Sequence, residues 1–381
     1  MKVSVLAFDL SDNATGRADL LARLLAQKYD VEVVGPRFGA EIWPPARGGA
    51  IPYRALAGAR YPAFAARLRE LARLADGDVL LASKPRPTSF GVALLACHQR
   101  RRPLVLDIDD WELGFFYRSG VWGRVGRALN VGNPNGLPWT WAMERLVGRA
   151  DALTVASRFL ERRFGGTLVP HVRDTDAWDP ARVDATATRA SLGVDDAKVV
   201  MFLGTPRGHK GLDDLVDAME GLSSARLVII GAELDHPRAR RWAARPGVIV
   251  RGPVPFDDVP RYLAAADVVA VPQRATTDTL GQVPAKLFDA MAMARAIVST
   301  SVSMIPEVLD GCGILVPPGE PRALRAVLET LLADPDRARE LGRRARARCV
   351  ERYSFAAARA VLLPLIERLA GTARAATPAK A

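Results

Sequence analysis

Short β-branched runs alternate with longer amphipathic stretches along the whole chain, and this alternation restricts the fold more than any other feature. Buried parallel strands read as brief, nearly continuous apolar runs, and the helices crossing between them read with a 3.6-residue period. Such runs occur at 3–8, 29–35, 79–82, 104–108 and 153–156, and again at 199–203, 225–230, 248–251, 268–271, 296–299 and 313–316. That order builds an α/β fold in which a parallel sheet is covered on both faces. The 381 residues exceed what one core usually holds, so two such units are expected.

The stretch 179–196 is acidic, carries Asp179-Pro180 and alternating Thr and Ala, and lacks a sustained apolar period. It reads as a linker. The expected organisation is a Rossmann-like domain at 1–178, the linker at 179–196, a second Rossmann-like domain at 197–350, a last helix at 354–369 and a disordered small-residue tail at 371–381. The segment 114–138 breaks the pattern with Phe115, Phe116, Tyr117, Trp122 and Asn133-Pro-Asn-Gly136. Long connections in compact domains are often functional, the alternative being a surface insertion packed by its own aromatics.

Composition removes several function classes. With 49% hydrophobic residues the chain is globular rather than disordered. Cys97, Cys312 and Cys349 are far apart and show no CxxC spacing, which argues against a disulfide framework or a cysteine zinc site and for a cytoplasmic protein. The first apolar run ends at Asp9, too short for a signal peptide, and no apolar stretch reaches the ~18 residues of a membrane helix. The four histidines, His98, His171, His209 and His236, have no metal spacing, and no Gly-x-Ser-x-Gly elbow is present. Neither half supplies the Gly-x-Gly-x-x-Gly of a dehydrogenase.

In an open α/β sheet, ligands sit beyond the carboxyl ends of the strands, so the loops there hold the candidates. Gly204-Thr-Pro-Arg207-Gly-His209-Lys210-Gly211 follows one strand, and Arg207 and Lys210 suit phosphate oxygens. The run from Asp278 through Gly281, Pro284 and Lys286 to Asp289 follows another; Pro284 suits the first turn of a helix whose amides invite an anion. Asp289 could accept ribose hydroxyls or merely stabilise the helix dipole. Asp107-Ile-Asp109-Asp110-Trp111-Glu112 crowds four acids at a strand end, where they could hold a divalent metal, orient an acceptor hydroxyl or supply a base. Gly16-Arg17 opens the first helix, another meeting place for backbone amides and a phosphate or sugar.

At these residues the chain resembles glycosyltransferase family 4, the retaining group with the GT-B fold. Gly204, Arg207 and Lys210 resemble the family's Gly-Arg-x4-Lys-Gly loop, with Arg207 two places later than the usual Arg, where Thr205 stands. The run from Pro284 to Val298 resembles the family's Pro-x-Lys-Leu-Phe-Glu-x-Met-Ala helix and following strand. Asp289 takes the place of the second acid of Glu-x7-Glu, while Gly281 stands at the first and Asp278 is the nearest acid. Asp109-Asp110 falls where many relatives have a His-Asp pair, and 169–174 resembles the segment entering the hinge.

The resemblance implies two Rossmann-like domains with sheets facing across a cleft, the last helix packing back on the first domain, and sugar transfer from a nucleotide-diphosphate sugar with retention. Lys210, Arg207 and Asp109 are then expected in catalysis. Gly204, Lys210, Arg207, Asp278, Gly281, Lys286 and Asp289 are expected at the donor, and Gly16, Arg17, Asp109 and Asp110 on the acceptor side. The acceptor would be a glycan, a lipid-linked or a small molecule, as in polysaccharide biosynthesis. No cofactor or obligatory metal is expected beyond a UDP- or GDP-sugar substrate. The alternatives are a GT-B sugar-nucleotide epimerase or an inactive sugar-nucleotide-binding partner.

The formal charge of +11 divides unevenly: +7 in 1–178, +1 in 179–350 and +3 in 351–381. Arg60, Arg67, Arg69 and Arg73 accompany an apolar stripe of Phe64, Leu68 and Leu71, a pattern that lies on anionic lipid or else covers a sheet with a solvated basic face. An anionic inner-leaflet surface is thus an expected partner of a cytoplasmic, peripheral protein. Nucleic acid is not, because no recognition motif accompanies the basic residues.

Overall fold

Thirteen parallel strands form two sheets among the described residues. The structure, a computed structural model, describes the chain except for residues 48, 118–125, 278 and 376–381. It divides into two compact units, one made of Met1–Pro170 with the segment from Ala358 onward, the other of His171–Ala357.

The first unit carries β1 (Lys2–Leu6), β2 (Asp30–Arg37), β3 (Tyr53–Ala57), β4 (Val79–Ser83), β5 (Leu104–Ile108), β6 (Ala152–Val155) and β7 (Thr167–Leu168), in the order β3-β2-β1-β4-β5-β6-β7. Val3, Val5, Leu80, Leu81, Val105 and Leu106 are inaccessible because helices cover both faces of these central strands. Full burial of one such side chain stabilises by about 1.5–3 kcal/mol. β3 and β7 have no counterpart among the expected strands. β3 reads Tyr-Arg-Ala-Leu-Ala at a sheet edge and is only half-buried, while β7 is two residues long. Neither needs the apolar run that marks an interior strand.

The second unit carries β8 (Lys198–Leu203), β9 (Ala225–Ile230), β10 (Val248–Arg251), β11 (Val268–Val271), β12 (Ala296–Thr300) and β13 (Ile314–Val316), in the order β10-β9-β8-β11-β12-β13. Its core joins Phe202, Leu215, Leu227, Val298 and Leu328.

Three expectations about boundaries change. The residues read as a linker are folded into the second unit: a 3₁₀ turn Pro180–Arg182 and a helix Thr186–Leu192 that ends on Gly193 at φ +68°. The Arg189 guanidinium fastens this helix by donating to the Ala265 carbonyl at 2.6 Å, and the unit already begins at His171. An acidic, Pro-containing stretch lacked an apolar period because the helix has only seven residues. The last helix spans Phe355–Ala375, beyond the expected 369 and into the expected tail, whose residues 376–381 lie outside the described residues. It meets the first unit through a Lys28–Glu367 ion pair and through Arg359 Nε donating to the Leu24 carbonyl at 3.3 Å.

The basic amphipathic stretch forms the helix Phe64–Leu74, and its apolar stripe faces the protein: Phe64 and Leu71 are fully buried and Leu68 packs on the same core. The stripe covers the sheet and is not available for insertion into lipid. No helix among the described residues is long and apolar enough to cross a membrane. Of the segment 114–138, Gly114–Tyr117 is a short helix, 126–128 are helical and a further helix begins at Leu137; Trp122 lies outside the described residues.

In both sheets the chain reverses direction of travel beside its first strand, between β1 and β4 and between β8 and β11, and these switch points leave crevices at the strands' carboxyl ends. At the second, the loop after β8 closes so tightly on the end of β11 that a Cβ on Gly211, at φ +64°, would stand 1.8 Å from the Pro272 carbonyl oxygen. Gly211→Ala is therefore expected to lower unfolding stability by at least about 2 kcal/mol, from overpacking and left-handed strain together. Urea denaturation followed by circular dichroism measures it.

Candidate functional site

In the second unit the switch-point crevice gathers most of the expected donor residues. Gly204 ends β8 at φ +120°, with its amide donating to the Ile230 carbonyl at 2.9 Å. The chain then forms a 3₁₀ turn, Gly208–Lys210, where the Lys210 ammonium donates to the Thr205 carbonyl at 3.0 Å. Arg207 starts this turn with an exposed side chain, while His209 is buried. After β11, Gly281 is buried in the returning loop, Asp278 lies outside the described residues, and Pro284 stands at the N-cap of the helix Ala285–Ala292.

Lys286 reaches from the first turn of that helix back to the end of β8. Its Nζ lies 3.6 Å from the centre of the Phe202 ring and 3.0 Å from where a Cβ on Gly204 would stand. That nitrogen is sealed from solvent and has no hydrogen-bond partner among the described residues. Burial, and then the positive charge of Lys210, pull the Lys286 ammonium well below the ordinary lysine range against the attraction of Asp289. Asp289 is not free to answer it. Its Oδ1 accepts from Arg173 Nε, whose guanidinium also lies 5.7 Å from the Trp178 ring and 5.8 Å from the Phe256 ring. Burial raises the Asp289 carboxyl even so, with Arg173 opposing. Arg173 was legible only as part of a motif, because nothing in its local sequence announces a partner 116 residues away.

In the first unit the crevice between β1 and β4 corrects several expectations. The Arg17 guanidinium, 2% exposed, does not face a ligand: it pairs bidentately with Asp107 at 2.9 and 2.8 Å and donates to the carbonyls of Pro170 and Val169 at 3.0 and 2.7 Å. The backbone amides of Gly16 and Arg17 already donate to Asn13 and Ala14 carbonyls at 3.1 Å each, and the Trp43 ring covers Gly16. Both amides of this helix start are thus already paired within the chain. Asp107 accepts from Thr154 as well, at 2.7 Å.

The other three acids of the run meet a cation the sequence reading passed over. Lys84, directly after β4, places its Nζ 2.6 Å from Asp109 Oδ1, 3.1 Å from Asp110 Oδ2 and 2.8 Å from Glu112 Oε1. Arg86 takes the other oxygen of Glu112 and donates to Thr140 Oγ1 at 2.6 Å. The signal existed: a Lys-Pro-Arg after β4 stands beside an acidic run after β5, and the two strands pair with Ser83 opposite Asp107. Although burial opposes its charge, Asp109, Glu112 and Asp110 hold Lys84 well above the ordinary range. Glu112 falls below its ordinary value because Arg86 and Lys84 outweigh burial. Asp109, expected in catalysis, is 6% exposed and bound to Lys84; Asp110 is the acid whose side chain reaches solvent, at 20%.

Burial lifts the Asp110 carboxyl to about 6, Asp109 and Glu112 adding to the rise and Lys84 opposing it. Between its ordinary value of 3.8 and about 6, the unfolded chain has released this proton and the folded chain still holds it. Stability must then fall as pH rises through that window. Relative to Asp110→Asn, the wild-type protein is expected to lose on the order of 1–3 kcal/mol between pH ~4 and ~6.5, read by urea denaturation across that range.

Two family models match the chain: "Glycosyl transferase 4-like domain" over residues 14–174 and "Glycosyl transferases group 1" over residues 197–334. The D-inositol 3-phosphate glycosyltransferase of Xylanimonas cellulosilytica is 34% identical over 287 residues, 68% of this chain and 67% of that protein. The alpha-maltose-1-phosphate synthase of Mycolicibacterium smegmatis is 36% identical over 205 residues, 48% of this chain and 51% of that one. A GDP-mannose-dependent alpha-(1-6)-phosphatidylinositol monomannoside mannosyltransferase of the same organism is 30% identical over 53% of this chain and 58% of its own. Among solved structures, sucrose-phosphate synthase from Thermosynechococcus elongatus superposes with a TM-score of 0.74 at 17% identity, over 98% of this chain and all of that one. Anabaena HepE in complex with UDP and glucose does so at 0.73 and 18%, over 96% and 99%. With two parallel α/β domains and this kinship, the chain belongs to the group 1 glycosyl transferases, as a GT-B glycosyltransferase resembling family 4.

Proposed function

We propose that this glycosyltransferase takes its sugar from a nucleoside diphosphate sugar bound by the second domain, and delivers it with retention at the anomeric carbon to a hydroxyl of a glycan, lipid-linked or small-molecule acceptor. One observation carries the reading: the buried, unpartnered Lys286 ammonium beside Lys210 at the glycine-lined end of β8, next to the start of the helix Ala285–Ala292. Burial without a counter-ion disfavours the charged form of this amine, and an incoming diphosphate favours it again. A relative named as GDP-mannose-dependent supports a donor of this chemical class.

The departing nucleoside diphosphate gains negative charge as the glycosidic bond breaks. Lys210, Lys286 and the amides at the helix start stabilise that charge where water is scarce, so each contact acts more strongly than it would at the surface. In a front-face transfer the acceptor hydroxyl gives its proton to the leaving phosphate oxygen, and no enzyme nucleophile or metal is required. Asp289, oriented by Arg173, accepts from a donor ribose hydroxyl through its second oxygen. Arg207 is exposed and contributes less than Lys210.

A thermal-shift panel of UDP, GDP, ADP and dTDP sugars is expected to give a clear rise in melting temperature with one base, since a ligand that binds only the folded state stabilises it. With that donor, Lys210→Ala should reduce turnover by roughly 10²–10³-fold and leave the ligand-free melting temperature unchanged. An undiminished rate at saturating donor overturns the assignment.

A further inference from the structure

Lys84 is a lysine at a backbone position that favours glycine. Its φ is +74°, in the left-handed region that L side chains rarely adopt. The conformation is held from several sides: its amide donates to the Asp107 carbonyl at 2.8 Å, and its own carbonyl accepts from Arg86 N and Ser89 Oγ, each at 2.8 Å. Glycine would fit here without strain, so the feature that must account for the lysine is its side chain. That side chain is 3% exposed and ends in a tripod, with the three ammonium N–H groups facing one oxygen each of Asp109, Asp110 and Glu112.

Ligand oxygens of these three acids lie within 4.8 Å of one another, the arrangement that carboxylates adopt around a single cation. The ammonium sits where that cation would be. The neighbouring charges are accounted for: Arg86 serves Glu112 from its other side, and Arg17 is paired with Asp107 below.

We propose that Lys84 is a positioning residue that acts as a built-in cation, occupying the place of a divalent ion among Asp109, Asp110 and Glu112 and thereby fixing the Asp110 carboxylate at the carboxyl edge of the first sheet. The role of Asp110 toward an acceptor hydroxyl rests on the function proposed above; the occupation of the cation position does not.

The test is Lys84→Gly in the full chain, which removes the ammonium and relieves the backbone. At pH 7.5, Mn²⁺ is expected to raise the melting temperature of Lys84→Gly and to lose its free-ion electron paramagnetic resonance signal in a one-to-one titration. Wild type should show neither effect, and adding Asp110→Asn to the variant should abolish both. A wild-type protein that binds Mn²⁺ and loses this with Asp110→Asn overturns the proposal, as does a folded Lys84→Gly that ignores the ion. If Lys84→Gly does not fold alone, refolding with Mn²⁺ but not with EDTA supports the proposal, and failure in both overturns it. The nucleotide-sugar thermal shift of Lys84→Gly is read in parallel: losing it in wild type would bring down the donor assignment and leave the Mn²⁺ result standing.

Discussion

A charge taken out of water must find a partner, and the two domains of this glycosyltransferase answer that constraint differently. In the first domain, Arg17, Lys84 and Arg86 are all buried and all neutralised by carboxylates at the ends of β5 and its following loop. Breaking any of these pairs from one side would leave an uncompensated ion, which costs about 3–5 kcal/mol. In the second domain, Arg173 takes Asp289, and the Lys286 ammonium is left with an aromatic face and a second lysine for company. The first arrangement is complete in itself. The second leaves the Lys286 nitrogen without a hydrogen-bond partner among the described residues.

The parallel sheet makes both arrangements available. Every strand delivers its carboxyl end to the same edge, and a switch point spreads two adjacent loops apart there. At the ends of β8 and β9 close approach depends on glycine: Gly204, Gly211 and Gly231 all adopt positive φ, and a Cβ on each would stand 3.0 Å or less from a neighbouring atom. At β1 and β4 the same kind of edge is filled by side chains, Lys84 from one loop and three acids from the other. Similar architecture thus leaves a buried lysine nitrogen without a hydrogen-bond partner among the described residues of one domain and a self-neutralised polar cluster in the other.

The sequence was informative where a single segment carries its own signal. All six strands of the second sheet were legible as apolar runs, the edge strands β10 and β13 included because both keep Val and Ile residues, and the segments 204–211 and 281–289 stood out because each carries its glycine, proline and lysine in one continuous run. It failed where the signal was short or split. β3 and β7 lie toward sheet edges and needed little hydrophobicity. The helix Thr186–Leu192 was mistaken for linker because seven residues cannot display a period. Arg17 read as a ligand contact because its partner, Asp107, stands 90 residues away.

What the sequence determined by itself was the class of the molecule: strand and helix periodicity is a local property, and two rounds of it in one chain leave few folds besides a pair of covered parallel sheets. What only the tertiary structure decided was which charged residues are available. Pairing energy depends on distance and desolvation, and neither is written in the order of residues. Lys84 and Lys286 look alike in the sequence, each a lysine near the end of a strand or the start of a helix. Folding places three carboxylates within ion-pair distance of the first, whereas the one carboxylate that attracts the second, Asp289, is held by Arg173.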